Sequence, residues 1–104
     1  MRKFVIGRVR TKPGVRSQYI TLAKPFIETS RAEPGCIYYQ QAADDDDPDS
    51  LVVIECWASP EEHAAHTAAP YFAAFVPTFE RFVVQAHFEE MDVDDVHDVV
   101  VNLG

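Results

Sequence analysis

The run Leu51 to Ala58, L-V-V-I-E-C-W-A, limits what this chain can fold into more than any other stretch. It is short, apolar and rich in β-branched residues, and therefore reads as a strand. Ser59-Pro60 then opens a helix at once: Ser59 suits an N-cap, Pro60 the first helical position, and Glu62 the acid of a capping box. Side chains alternate along a strand, so Val53, Glu55 and Trp57 share one face while Val52, Ile54 and Cys56 share the other. Both faces carry apolar groups, so both need cover. A carboxylate inside such a strand costs free energy unless it is paired or hydrogen-bonded, which singles out Glu55. A helix folding back over the Glu55 face brings His66 towards Trp57.

The remaining elements follow in order. Lys3 to Arg10 reads as a first strand with Phe4, Ile6 and Arg8 on one face and Val5, Gly7 and Val9 on the other. Gly7 in mid-strand marks either a bulge or a place where another group approaches the backbone. Thr11 to Gly14 is a turn, and the apolar spacing from Val15 to about Ala32 predicts a helix that Pro25 kinks or splits. Glu33-Pro34-Gly35 ends it. Cys36 to Ala42 is a second strand, and Asp44 to Asp49 a solvated hairpin loop lacking the glycine and distal glutamate of a calcium loop. If Tyr39 and Glu55 face the same way across this hairpin, Cys36 and Cys56 share the opposite face. The helix from Ser59 is broken by Pro70. A stripe of Phe72, Phe75, Val76, Phe79 and Phe82 predicts a further helix kinked at Pro77, and Val83 to Met91 a fourth strand.

The order β-α-β-β-α-β predicts an α+β, ferredoxin-like fold: an antiparallel four-stranded sheet with helices on one face. The other face, with Val52, Ile54 and Cys56, calls for a second sheet, so the expected state is a homodimer closing as a dimeric α/β barrel. Residues 1–91 form the domain; residues 92–104, acidic and then apolar, are a tail that packs on its own domain or on the partner. The chain of 104 residues suffices for one core. Its net charge of −8 disfavours nucleic acid and anionic membrane as partners. No apolar run is long enough to span a bilayer and no leader is evident, so a cytoplasmic protein with Cys36 and Cys56 as free thiols is expected.

With E-P-G-C-I-Y-Y (33–39), I-E-C-W-A-S (54–59) and E-E-H-A-A-H-T-A-A-P-Y-F (61–72) following R-T-K-P-G (10–14), the chain resembles the antibiotic biosynthesis monooxygenase family. That family includes quinol and anthrone oxygenases that use no cofactor, haem-degrading enzymes, and an isomerase-like branch acting on a phosphorylated sugar. The haem-degrading branch has an asparagine on the first strand where this chain has Gly7, which turns the expectation away from haem.

The resemblance implies a monooxygenase that joins dioxygen to a small electron-rich aromatic bearing a hydroxyl. No cofactor is expected, and no glycine-rich dinucleotide fingerprint is present. In this reading His66 takes or steers the proton and Tyr39 orients the oxygen. Glu55 completes the catalytic set, while Trp57, Phe72, Phe75 and Gly7 border the substrate. The pocket is expected between the sheet and its helices. Each aromatic also has a plain reading as core, and Glu55 one as an ion pair with Arg8, Arg10 or a partner-chain residue. His63 and His66 are one turn apart, but no third ligand is apparent and no metal is expected; His63 and His97 are placed on the surface. Two other functions compete: an isomerase of a phosphorylated metabolite, with Arg8 or Arg81 as anion donors, and a non-catalytic binding or dimerisation module.

Overall fold

A computed structural model describes all residues, 1–104. Its elements run β1 (Arg2–Thr11), α1 (Arg16–Arg31), β2 (Cys36–Ala43), β3 (Ser50–Trp57), α2 (Pro60–Ala68), α3 (Pro70–Phe82) and β4 (Val83–Val93). The four strands form one antiparallel sheet in the order β2-β3-β1-β4. This is the ferredoxin-like α+β arrangement, with its second crossover divided into two helices. The division is local chemistry: Pro70 disfavours helical backbone at the residue before it, and Ala69 is extended (φ −68°, ψ 144°). Ser59 caps α2 by accepting from the Glu62 N–H at 3.2 Å. No helix is long and apolar enough to cross a membrane.

Pro25 and Pro77 lie inside α1 and α3, and neither splits its helix. Both are exposed, on the side where water can bond the carbonyls their rings leave without a partner.

The core forms where the helices cover one sheet face. Val9, Leu51, Val53, Trp57 and Tyr39 meet Tyr19, Ala23, Ile27 and Phe82 there. Tyr39 pairs directly with Glu55, but an irregularity between Cys36 and Tyr38 sets Cys36 opposite Trp57 and Tyr38 opposite Cys56. One extra residue reverses the facing of everything before it. Cys36 thus turns to the helix side, not to the face of Cys56, and both thiols are free.

The acidic loop is held by α1. The Arg16 guanidinium donates through Nη1 to the carbonyls of Asp44, Asp47 and Ser50 at 2.9, 2.7 and 3.0 Å. The opposite sheet face is only partly covered: Cys56 is buried, but Tyr38, Ile54 and Met91 are exposed there beside half-buried Phe4, Ile6 and Val52. In the tail Val93 and Val96 are half-buried, while Val99, Val100, Val101 and Leu103 are all exposed.

Gly7 is where a close approach requires glycine. A Cβ there would stand 2.6 Å from the Phe88 ring on β4. Gly7→Ala is expected to cost about 1–3 kcal/mol of stability by overpacking. The cost shrinks in a Phe88→Ala background, because the obstructing ring is gone. Urea denaturation of the four chains measures both, and an equal cost in each background would clear Phe88.

Candidate active site

A cavity of about 490 Å³ lies between the sheet and the three helices. Val5, Val9 and Val53 floor it, while Phe26 of α1 and Phe72, Phe75 and Phe79 of α3 wall it. Four buried side chains with polar atoms lie on its lining, Tyr19, Tyr39, Glu55 and His66. Its mouth is bordered by exposed Val76, Glu80, Phe88 and Glu90. Phe26 organises the wall: it stacks on Phe75 at 4.5 Å between ring centroids and meets His66, Tyr71 and Phe72 at 5.7, 5.4 and 5.9 Å.

His66 is 1% exposed and fixed from behind. Its Nδ1 lies 2.7 Å from Glu33 Oε2 and 2.9 Å from the Tyr71 hydroxyl. The Tyr71 hydroxyl also donates to Glu33. A carboxylate at Nδ1 assigns the ring proton to that nitrogen, which leaves the Nε2 lone pair free for chemistry. Burial lowers the His66 pKa, and the Glu33 hydrogen bond and charge oppose this. The imidazole is therefore neutral at pH 7, with a counter-charge in place should it gain a proton. A tight junction brings these groups together: the Gly35 Cα faces the Glu62 side chain so closely that a Cβ would meet it at 2.4 Å, and the Ala58 N–H donates to the Gly35 carbonyl at 2.8 Å. The turn after α1 thus presses against the start of α2.

Glu55 is satisfied inside the fold. Trp57 Nε1 donates to Glu55 Oε1 at 2.9 Å. Burial pushes the Glu55 pKa up to about 7; the Trp57 bond and the Tyr39 hydroxyl hold it down, while the Glu90 charge adds to the rise. The Tyr39 phenol is raised, chiefly by burial, so it stays protonated; its one proton faces Glu55 and would have to turn from that carboxyl to serve a ligand oxygen.

The expected residues divide. His66, Tyr39, Glu55, Phe72 and Phe75 all border the cavity. Trp57 and Gly7 do not. The indole is fully buried one layer deeper, 4.5 Å behind His66 at an interplanar angle of 31°, and the space over Gly7 is taken by Phe88. Glu55 does not pair with Arg8 or Arg10, which project from the other sheet face; Arg8 meets Glu89 at 3.3 Å. Nor does Arg81 reach the cavity, lying over the Phe82 ring at 5.2 Å. His63 is not at the surface but on the cavity lining, 3.8 Å from Glu90. Glu33 and Tyr71 escaped sequence reasoning. Glu33 looks like a helix stop and Tyr71 breaks no pattern, and only the fold joins positions so far apart. The one available sign was an acid in the turn directly before the strand that carries Tyr39.

Residues 3–78 match the family described as antibiotic biosynthesis monooxygenase. The chain belongs to that family. An uncharacterised protein of Synechocystis sp. is 38% identical over 72 residues, 69% of this chain, which spans only 49% of that relative's length. Among solved structures, one described as an antibiotic biosynthesis monooxygenase is 29% identical with a TM-score of 0.79, covering 91% of this chain and all (100%) of its own. A Mycobacterium tuberculosis protein superposes with a TM-score of 0.83 at 22% identity, over 94% of this chain and 100% of its own, and attests the fold alone.

The raised carboxyl of Glu55 makes stability depend on pH. Its folded pKa of about 7 exceeds the ordinary 4.5, so folding favours the neutral acid. That contribution is complete below pH 4.5 and is lost as pH rises through about 7. Glu55→Gln keeps an acceptor for the indole and carries no charge. Its stability relative to the parent is expected to grow by up to about 3 kcal/mol across this range, measured by denaturation at a series of pH values.

Proposed function

We propose that this protein is a monooxygenase that oxidises an electron-rich hydroxy-aromatic, a quinol or anthrone-like ring, with dioxygen and without a cofactor. The observation that carries the reading is the set of buried His66 with half-buried Glu33 and Tyr71 at the end of an aromatic-walled cavity. Phe26, Phe72 and Phe75 would enclose the ring and exclude water. His66 Nε2 takes the acidic proton, and the resulting imidazolium is stabilised by Glu33 as it pairs with the substrate anion. Tyr39 donates to the ring oxygen and fixes which carbon meets dioxygen.

For an anthrone-like ring the balance closes without outside electrons. The anion passes one electron to dioxygen, and the radical and superoxide combine at the ring carbon. The proton held by His66 completes a hydroperoxide. Loss of water then leaves a carbonyl, so one CH₂ and one O₂ become C=O and H₂O. Family membership supports oxygenation; the ring class rests on the cavity's walls.

In this reading a second copy completes the molecule. The partly covered sheet face and the apolar end of the tail leave two water-exposed surfaces on one chain, and a twin subunit would cover both. Ile54→Glu is expected to convert a dimer to a monomer in light scattering, and a parent that is already monomeric would refute the pairing.

Oxygen consumption by protein freed of metals with chelator, mixed with a panel of quinols and anthrones, tests the reaction. His66→Ala should lower kcat by about 10²–10⁴-fold. Glu33→Gln should lower kcat more than it raises KM, because it acts through the imidazole. Uptake that is absent from the whole panel, or indifferent to His66, would end this reading.

A further inference from the structure

We propose that the cavity selects aromatic ligands carrying no negative charge, and that Glu80 and Glu90 at its mouth, with Glu55 inside, impose this selection. The inference builds on the cavity as the substrate site and names the charge class it takes. Three carboxylates border the cavity and no lysine or arginine does. The two basic side chains on the lining, His63 and His66, are both pushed towards the neutral form by burial.

The nearby cations are already engaged. Lys3 is bound to Glu90 and Asp92 at 2.9 and 3.3 Å, which offsets part of the Glu90 charge and leaves Glu80 as the unpaired carboxylate of the rim. Arg31 donates to the Tyr39 carbonyl at 2.8 Å, and Arg16 is spent on the carbonyls of the acidic loop. Glu80, by contrast, has no ion-pair partner within 4.0 Å. An entering sulfonate, carboxylate or phosphate would exchange hydration for a low-dielectric channel with like charges at its rim and no donor of positive charge along its walls. An uncharged ring meets no such barrier. The chain's net charge of −8 acts in the same direction at longer range.

The restriction also fits the chemistry. Only one negative charge has to be accommodated, the one His66 creates, and it appears beside the proton His66 has just taken. A substrate arriving with a second, fixed anion would have no partner for it.

Titration calorimetry under nitrogen, with 2-naphthol and its 6-sulfonate as probes of matched ring size, measures the selection apart from any oxidation. The parent is expected to bind 2-naphthol at least about tenfold more tightly than the sulfonate at low salt. That ratio should narrow as salt screens the exposed carboxylates. A Glu80→Gln, Glu90→Gln double variant should bring the ratio below about threefold. Equal binding of the two probes by the parent, or a ratio the double variant leaves intact, overturns the proposal. Failure to bind either probe overturns the cavity as a ring site, and the proposal with it. Because no oxygen is present, a clear preference stands even where the monooxygenase reading fails its own assay.

Discussion

A single contact between distant parts of the chain, His66 Nδ1 to Glu33 Oε2 at 2.7 Å, is what the polar end of the cavity depends on. It joins the turn after α1 to the helix that follows β3. Around it the Tyr71 hydroxyl, the tilted Trp57 indole and the Phe26 ring pack against the imidazole. A partly buried hydrogen bond with a carboxylate acceptor is stronger than a neutral one. Fixing the ring and fixing its tautomer are thus one act, and Gly35 permits both by letting the two segments touch.

Charge is arranged in layers around that contact. Glu33 lies behind the imidazole, off the cavity lining, where it can stabilise a proton gained at Nε2. Glu55 lies on the lining, where burial holds it near its midpoint at neutral pH, with the indole N–H as its fixed donor. Two carboxylates in one small volume would repel if both were fully charged and facing. Placing one behind the base and leaving the other half-protonated removes most of that conflict.

The fold was legible because its signals are local. The β-branched run at Leu51, the Ser59-Pro60 start and the turn at Pro13-Gly14 each decide their own neighbourhood, and strand alternation then sorts residues between faces. Alternation and the helix start brought His66 towards the Glu55 face, and the family resemblance added Tyr39. What escaped depended on distances the sequence does not encode. A one-residue bulge turned Cys36 round. Trp57 shares a face with Glu55, yet His66 slides between it and the cavity. Arg8 looked like a partner for Glu55 until register put it on the far side. Glu33 and Tyr71 carry no periodic signal at all, and their roles exist only once three elements have packed.

Val83 is both the cap of α3 and the first residue of β4, with no loop between them. Val76 and Glu80 on one lip of the mouth and Phe88 and Glu90 on the other therefore belong to a single unbroken rod-and-ribbon piece. The Lys12 N–H pins its elbow by donating to the Phe82 carbonyl at 2.8 Å. Widening the entrance thus means flexing one clamped corner rather than lifting a slack flap.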